Sequence, residues 1–440
     1  MRNPFAKTLI LIAVLAALGT GMGVAQAPKK QAKDQVEYDL YSSILKETNA
    51  QKKLSLLETW KQKYPNTDFK LERNQLFLAT YQQLGQAAKM VETAKEMLAI
   101  DPKEFTALYW ITLLTPSLNN TSPEALETGE KAAQGLLANL DASFAPDKKP
   151  ANTPEDAWKK ARVEAEALGH KTLGWVAMQR KQNDVAEKEF VKSLELHSES
   201  GEVSYWLGTV ILGQKKPERQ SEVLFHFARA ASYEGPGALT PEARKQIDAY
   251  FVKAFTTYHG KDEAALAELR KQAVASPFPP QGFHIENVNE IAAKNEEEFA
   301  KKNPAMAMWM NLKRELTGPN GEQYFESSLK GAAVPGGAHG VQKFKGVLIS
   351  SKPATAPKEL VLGVMDPNTP DVTLKLETPL RGKADPGREL EFEGIVSGFT
   401  KEPFMLVLDV DENSKITGWP APAPAAKKAG AKKAAPRKKK

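Results

Sequence analysis

The sequence predicts a mainly α-helical protein of stacked helix hairpins, followed by a small C-terminal β-barrel. Three observations lead to this prediction. Helical patterns follow one another from Gln31 to about Asn320, two copies of one pattern are 34 residues apart, and five short β-patterned runs follow them. A chain of 440 residues is long enough for two or three compact units.

Residues 1–27 have the composition of an export signal. Arg2 and Lys7 precede or border an apolar run at positions 8–18, and small residues then lead to Ala25-Gln26-Ala27. A positive start, a short apolar run and an A-x-A site are typical of a cleaved secretory signal. We expect cleavage after Ala27 and a bacterial periplasmic or secreted protein. The alternative is an uncleaved anchor that recruits residues 19–24, although the apolar run alone is short for a membrane span.

The helical region, predicted to span residues 28–328, contains a repeated packing pattern. A Leu-Gly pair is followed by alanine twelve residues after the glycine and by phenylalanine four residues later, and Leu-Gly then recurs 34 residues after the first glycine. Small glycines allow the second helix of a hairpin to approach closely, and alanine and phenylalanine fill the groove between the helices. The residues that carry this pattern are Leu173, Gly174, Ala186, Phe190, Leu207 and Gly208.

This pattern resembles the tetratricopeptide repeat (TPR) family, whose period is 34 residues. The resemblance implies an α-solenoid of antiparallel helix pairs with a concave groove that binds peptides or protein segments. Tyr81, Trp110 and Trp206 are the aromatic candidates for contacts in the groove, although aromatic residues at helical spacing are more often core residues. The alternative is a groove that only packs against the next domain of the chain.

The composition changes after Asn320. Residues 329–340 contain four glycines and no acidic residue, which predicts a hinge. Apolar and polar residues then alternate in short runs separated by turn residues, as expected for half-buried strands. The five runs are residues 344–350, 359–364, 372–376, 389–397 and 404–410. We therefore predict a β-barrel domain at 341–419 and a tail at 420–440.

The last two runs resemble the last strands of an OB-fold, in which a glycine after a strand lets it bend around a barrel. A short loop at 379–387 replaces the helix expected between strands three and four. An OB-fold implies nucleic-acid or sugar binding, but acidic residues outnumber basic ones here, and the alternation turns Phe392 and Phe404 inward. A barrel used for protein contact or as a cap is therefore the favoured interpretation.

The net charge of +6 comes from the two ends of the chain. Of the 60 basic residues, eight lie in the tail and two in the signal, which leaves 50 against 54 acidic residues. The tail alternates alanine and proline before its lysines and predicts disorder. In the cell envelope its polyanion partners would be an anionic membrane surface or glycan, with nucleic acid the less favoured partner and a merely solvated tail the alternative. Its basic residues are Lys427, Lys428, Lys432, Lys433, Arg437, Lys438, Lys439 and Lys440.

No motif predicts catalysis, a metal or a cofactor. Cysteine is absent, which excludes disulfides, thiolate metal sites and cysteine nucleophiles. The six histidines are at least 25 residues apart, and neither a G-x-S-x-G elbow nor a P-loop follows the signal. Asp409 and Asp411 end the fifth β run, where acids could bind a cation but are also common in turns. We therefore predict a non-catalytic binding or scaffold protein; a hydrolase without a recognisable motif is the remaining alternative class.

Overall fold

The computed structural model describes residues 30–420. The predicted signal and its cleavage site, as well as the basic residues of the tail, lie outside this part of the chain. The chain divides into two compact units between Asn287 and Val288.

The described part of the first unit consists of helices that pack against their neighbours in the chain. Each helix from α1 to α10 contacts the next one, α7 also contacts α5, and the last helix, α12, packs back onto α10. A single helical turn, Leu140–Ser143, precedes α7. The helices are α1 Gln35–Lys46, α2 Ala50–Lys63, α3 Lys70–Gln83, α4 Ala87–Ile100, α5 Phe105–Leu118, α6 Pro123–Ala138, α7 Glu155–Gln179, α8 Asn183–Leu196, α9 Gly201–Gly213, α10 Gln220–Ser232, α11 Pro241–His259 and α12 Glu263–Ala275.

Several of these helices begin where the sequence supplies a capping side chain. Asn49 accepts a hydrogen bond from the backbone N–H of Lys52, and Ser200 accepts one from the N–H of Val203. Asp262 accepts from two backbone N–H groups at the start of α12. Such caps satisfy donors that have no partner inside the helix, and so they favour these start points over neighbouring ones.

Between residues 30 and 287, the buried side chains of the first unit form three clusters in succession along the chain. The first lies around Trp60, the second around Trp110 and Trp158, and the third around Phe190 and Phe225. A series of local cores is expected of a helical repeat, because each hairpin buries its apolar face against its neighbours. This TPR-like arrangement confirms the predicted fold class for the helical region.

The second unit begins with two further helices and continues into a curled sheet. The helices are α13 Val288–Lys302 and α14 Pro304–Thr317, and a turn of helix at Gly321–Tyr324 leads into a π-helical turn at Phe325–Leu329. The strands are β1 Ala333–Val334, β2 Phe344–Lys352, β3 Glu359–Gly363, β4 Val372–Leu376, β5 Glu389–Phe392, β6 Gly394–Thr400, β7 Met405–Val410 and β8 Ile416–Thr417. Strands β2 to β7 coincide closely with the five predicted runs.

The strand order of this sheet is β1-β6-β7-β4-β3-β2-β5-β8, and all pairs are antiparallel except β4 with β7. Strands β5 and β6 are separated only by Glu393, and this continuous run pairs with β2 at its start and with β7 at its end. The sheet therefore curls back towards its first long strand. Phe344, Leu360, Leu374 and Phe392 point into the enclosed core.

The division between the two units differs from the domain boundary predicted at residue 328. Helix α14 belongs to the second unit, where Trp309 packs edge-to-face on Phe344 at 5.1 Å between ring centroids. The segment predicted as a hinge, 329–340, is part of this unit as well: Leu329 and Val334 are buried in its core, and β1 pairs with β6. An amphipathic helix has the same sequence pattern whether it packs on helices or on a sheet, so the sequence alone misplaces this boundary.

Candidate functional site

The first unit contains a groove with a volume of about 880 Å³, which we call the α7 groove. One face of α7 forms its floor, with lining residues three or four positions apart, as the helical period requires. Helix α5 forms one wall, and the start of α9 together with residues 236–240 forms the other. The floor residues are Ala157, Lys160, Ala161, Glu164, Ala167, Leu168 and Lys171.

Lys171 and Glu202 form an ion pair across the groove. The Lys171 ammonium lies 2.6 Å from a Glu202 carboxylate oxygen and 5.3 Å from the centroid of the Trp206 ring. Glu202 is also in the first turn of α9, where a negative charge is favourable to the helix dipole. Both charges are therefore compensated by groups within the unit.

Tyr109 contributes a polar atom to the opposite wall. Its side chain is only 5% exposed, and its hydroxyl makes no hydrogen bond within residues 30–420. Burial raises the pKa of this hydroxyl far above its ordinary value, and the negative charge of Glu164 adds to the shift, so Tyr109 is neutral. A hydroxyl that lines a groove and has no partner in the described chain is available to a ligand or to water.

The residues predicted to pack the repeats lie at contacts between helices. A β-carbon on Gly174 would lie 2.6 Å from two atoms of the Phe190 ring, and one on Gly208 would lie 3.1 Å from the His226 β-carbon. Ala186, Phe190 and Leu207 are buried, whereas Leu173 is half-buried. The structure thus brings Gly174 of α7 and Phe190 of α8 together.

The three aromatic groove candidates occupy different environments. Trp110 is 3% exposed and packs edge-to-face on Tyr109, so it is a core residue rather than a groove contact. Tyr81 is half-buried and stacks on Phe77 at 5.7 Å between ring centroids, away from the residues that line the groove. Trp206 is half-buried beside the groove, through its contact with Lys171.

Sequence reasoning overlooked the residues that do line the groove. Tyr109 is adjacent to Trp110 in the sequence, and the pattern of α5 does not show which of the two faces a cavity, because nearly all of this helix is apolar and buried. The lining residues of α7 could have been recognised from the sequence as one face of a helix, because they recur at helical spacing. They include Ala157, Ala161, Glu164, Leu168 and Lys171.

Within residues 30–420, no group of three or more histidine, aspartate or glutamate side chains is arranged to hold a metal ion. Asp409 accepts a hydrogen bond from the Ser397 hydroxyl at 2.9 Å, and Asp411 pairs with Lys415 at 2.6 Å. These two acids therefore have partners within the β unit. No helix in the same range is long and apolar enough to cross a membrane.

No family model and no curated protein matches the chain. Among solved structures, the chain is similar to the crystal structure of TTC0263, a thermophilic TPR protein in Thermus thermophilus. The two share 17% sequence identity over 50% of this chain and 96% of that one, with a TM-score of 0.26. The packing of successive helices against their neighbours defines the fold of the first unit.

Proposed function

We propose that this protein is a non-catalytic, exported scaffold whose helical unit binds a segment of a partner protein in the α7 groove. The observation that carries the proposal is the groove itself, because walls from separate helix hairpins meet around a floor of small and apolar residues. Stacked helix hairpins are suited to binding extended segments along such concave surfaces.

The composition of the groove favours a protein segment over a reactive substrate. Leu113, Leu168 and Leu239 offer half-buried apolar contacts, and Ala157 and Ala238 leave room for a backbone to approach. Charged residues among them are paired or solvent-facing. The Ser193 hydroxyl, four residues before His197 of the same groove, donates its hydrogen bond to the Ala167 carbonyl at 3.0 Å. Grooves that recognise peptides commonly hold them through apolar anchor residues.

Export to the cell envelope is the second part of the proposal. It is supported by the signal-like pattern of residues 1–27, with a cleavage site after Ala27. The lack of cysteine is compatible with an oxidising compartment, because the fold needs no free thiol. We propose a periplasmic or secreted location on these grounds.

We further propose that the β unit is an OB-like barrel that serves as a protein-contact or capping module. The support for this proposal is the order in which the strands pair. The parallel pair of β4 and β7 joins two groups of antiparallel strands, and the continuous β5–β6 run pairs with β2. Phe392 and Phe404 are buried in the core and offer no stacking platform. Binding of an anionic polysaccharide or nucleic acid through this unit and the basic tail is the alternative function.

The groove proposal is tested by filling the groove. Ala157 is half-buried on the floor, so Ala157→Trp narrows the groove without replacing a core residue. The matched control is Ala267→Trp on an exposed position of α12. Both variants are immobilised beside the wild type and exposed to envelope proteins of the native host. We expect a partner that the wild type and the control retain and that Ala157→Trp loses; equal retention by all three would contradict the proposal.

A further inference from the structure

Two carboxylates in the α7 groove differ from Glu202, because little or no positive charge lies close enough to neutralise them. Glu164 is 3.8 Å from the Lys160 ammonium, but the Lys160 side chain is 75% exposed, and such a pair contributes little in water. Glu199 is exposed on the opposite wall and has no cation within 4 Å in the described part of the chain. The groove therefore holds negative charge at two places.

The hydroxyl of Tyr109 adds a hydrogen-bond acceptor at the Glu164 end of the groove. The Tyr109 hydroxyl lines the adjoining wall, on α5, and has no hydrogen-bond partner in the described chain. Its oxygen can accept a hydrogen bond in the same groove as the Glu164 carboxylate, whose negative charge acts on it. Glu164 and Tyr109 thus present acceptors to any donor that enters, and this end of the groove is partly shielded from water, which strengthens the attraction.

From this geometry we infer that the α7 groove receives a lysine or arginine side chain of an extended partner segment, with the cationic group held at Glu164 and Tyr109. The inference rests on the proposed function, since it assumes that a protein segment enters the groove. Glu199 on the facing wall favours a second basic residue in the same segment. The partner is therefore a basic segment of another protein.

The apolar part of the groove fits the same residue types. Lysine and arginine carry aliphatic stems that pack on apolar surface while their heads reach a polar group. Leu113, Leu168 and Ala161 provide such surface next to Glu164. An acidic segment would instead bring carboxylates beside Glu164 and Glu199, and would meet only the solvent-exposed Lys160 ammonium, because Lys171 is already paired with Glu202.

The inference is tested by selecting random phage-displayed peptides on the protein from residue 28 onwards, after subtraction of phage that bind the Ala157→Trp variant. We expect the selected peptides to be enriched in lysine or arginine flanked by small or apolar residues. Synthetic copies of these peptides should bind Glu164→Gln at least tenfold more weakly, because the isosteric amide removes the charge but keeps the shape. The control Glu263→Gln, an exposed position on α12, should bind as the wild type does.

The possible outcomes separate this inference from the proposed function. Selected peptides that depend on the groove but are acidic or uncharged would overturn the inference and leave the groove as a protein-binding site. Basic peptides that bind Glu164→Gln as tightly as the wild type would also overturn the inference, whereas a selection that yields no binding peptide after the subtraction would overturn the proposed function too. Glu164→Lys provides a second check, since it should shift selection from basic to acidic peptides. Circular dichroism and thermal unfolding verify that each variant is folded.

Discussion

Gly174 and Phe190 are in direct contact between α7 and α8: a β-carbon on Gly174 would lie 2.6 Å from the Phe190 ring. The ring is fully buried and cannot swing into solvent. A side chain at position 174 must therefore displace a packed aromatic ring or push the two helices apart. The same close approach is milder at Gly208, where the nearest atoms of His226 and Phe227 lie 3.1 and 3.2 Å away.

Gly174→Leu should destabilise the first unit by about 1–3 kcal/mol through overpacking. Gly174→Ala adds only a methyl group, and the higher helix propensity of alanine contributes about 1 kcal/mol of stability that offsets part of the steric clash. We expect Gly208→Ala to be better tolerated than Gly174→Ala. Urea unfolding followed by far-UV circular dichroism measures the difference. A Gly174→Leu protein as stable as the wild type would show that the α7–α8 contact is not as described.

His226 should make the helical unit sensitive to acid. Burial lowers the pKa of His226 to about 3, and the charges of Arg229 and Arg219 add to this against the weaker opposing effect of Glu187. The folded protein thus keeps a neutral imidazole, while the unfolded chain takes up a proton below about pH 6.5. The contribution of the neutral His226 to the free energy of unfolding is therefore present in full above about pH 6.5. It is lost as the pH falls towards 3, and the loss at pH 5 is on the order of 2 kcal/mol.

The measurement is the free energy of unfolding at pH 7 and at pH 5, for the wild type and for His226→Leu. The Nδ1 atom of His226 has no hydrogen-bond partner in the described chain, so an apolar replacement leaves no bond broken there. We expect the free energy of unfolding to decrease less between pH 7 and pH 5 in His226→Leu than in the wild type. An identical loss in both proteins would mean that His226 does not titrate on unfolding as described.

Arg229 should be among the least replaceable polar residues of the first unit. Its buried guanidinium donates hydrogen bonds to the carbonyls of Ala273, Val274 and Ser276 at the end of α12 and to that of Ser198 beyond α8. Carbonyls at helix ends have no partner within the helix, so the cation satisfies several at once. Arg229→Met should cost about 3–5 kcal/mol by leaving these buried acceptors unpaired.

The control for this prediction is Arg180→Met. Arg180 forms an ion pair with Glu130 at 2.7 Å, but both side chains are about a third exposed. Such a pair contributes no more than about 1 kcal/mol. Chemical denaturation of the two variants should therefore separate them clearly, and comparable losses would contradict the special role of Arg229.

The two-unit division predicts which fragment of the C-terminal half folds by itself. Trp309 of α14 is buried against the sheet, and its indole N–H donates to Asp371 at 3.2 Å. A fragment of residues 288–420 should unfold cooperatively, whereas 341–420, which follows the predicted domain start, should not, because it leaves Phe344 and Phe392 without the Trp309 ring. Near-UV circular dichroism and thermal unfolding test this, and equal stability of the two fragments would favour the boundary predicted from sequence.

Removal of residues 421–440 tests the proposed role of the tail. Each lysine near an anionic surface contributes about 1 kcal/mol, so eight basic residues are enough for reversible attachment. Sedimentation with vesicles containing phosphatidylglycerol should pull down the full chain at low salt but not at high salt. The truncated protein should remain in solution under both conditions, and its sedimentation at the level of the full chain would exclude the tail as an anchor.

Much of the fold was predictable because it depends on local patterns. Leu390, Phe392 and Val396 alternate with polar residues, and this period places them in the core of the sheet whatever the strand order is. The helix hairpins are similarly encoded in the spacing of Gly174, Ala186 and Phe190, whose types and distances suit only a close helix pair. These features need no knowledge of distant parts of the chain.

The tertiary structure alone decided where the units divide and where the groove lies. Trp309 could pack on helices or on a sheet with the same amphipathic pattern, and only its contact with Phe344 assigns α14 to the β unit. Tyr109 and Trp110 are neighbours in one apolar helix. Only the packing of the surrounding helices decides that Tyr109 lines the groove and that Trp110 is enclosed in the core. The physical reason is that burial and open space depend on contacts between residues far apart in the chain, whereas a sequence pattern reports only the periodicity of its own segment.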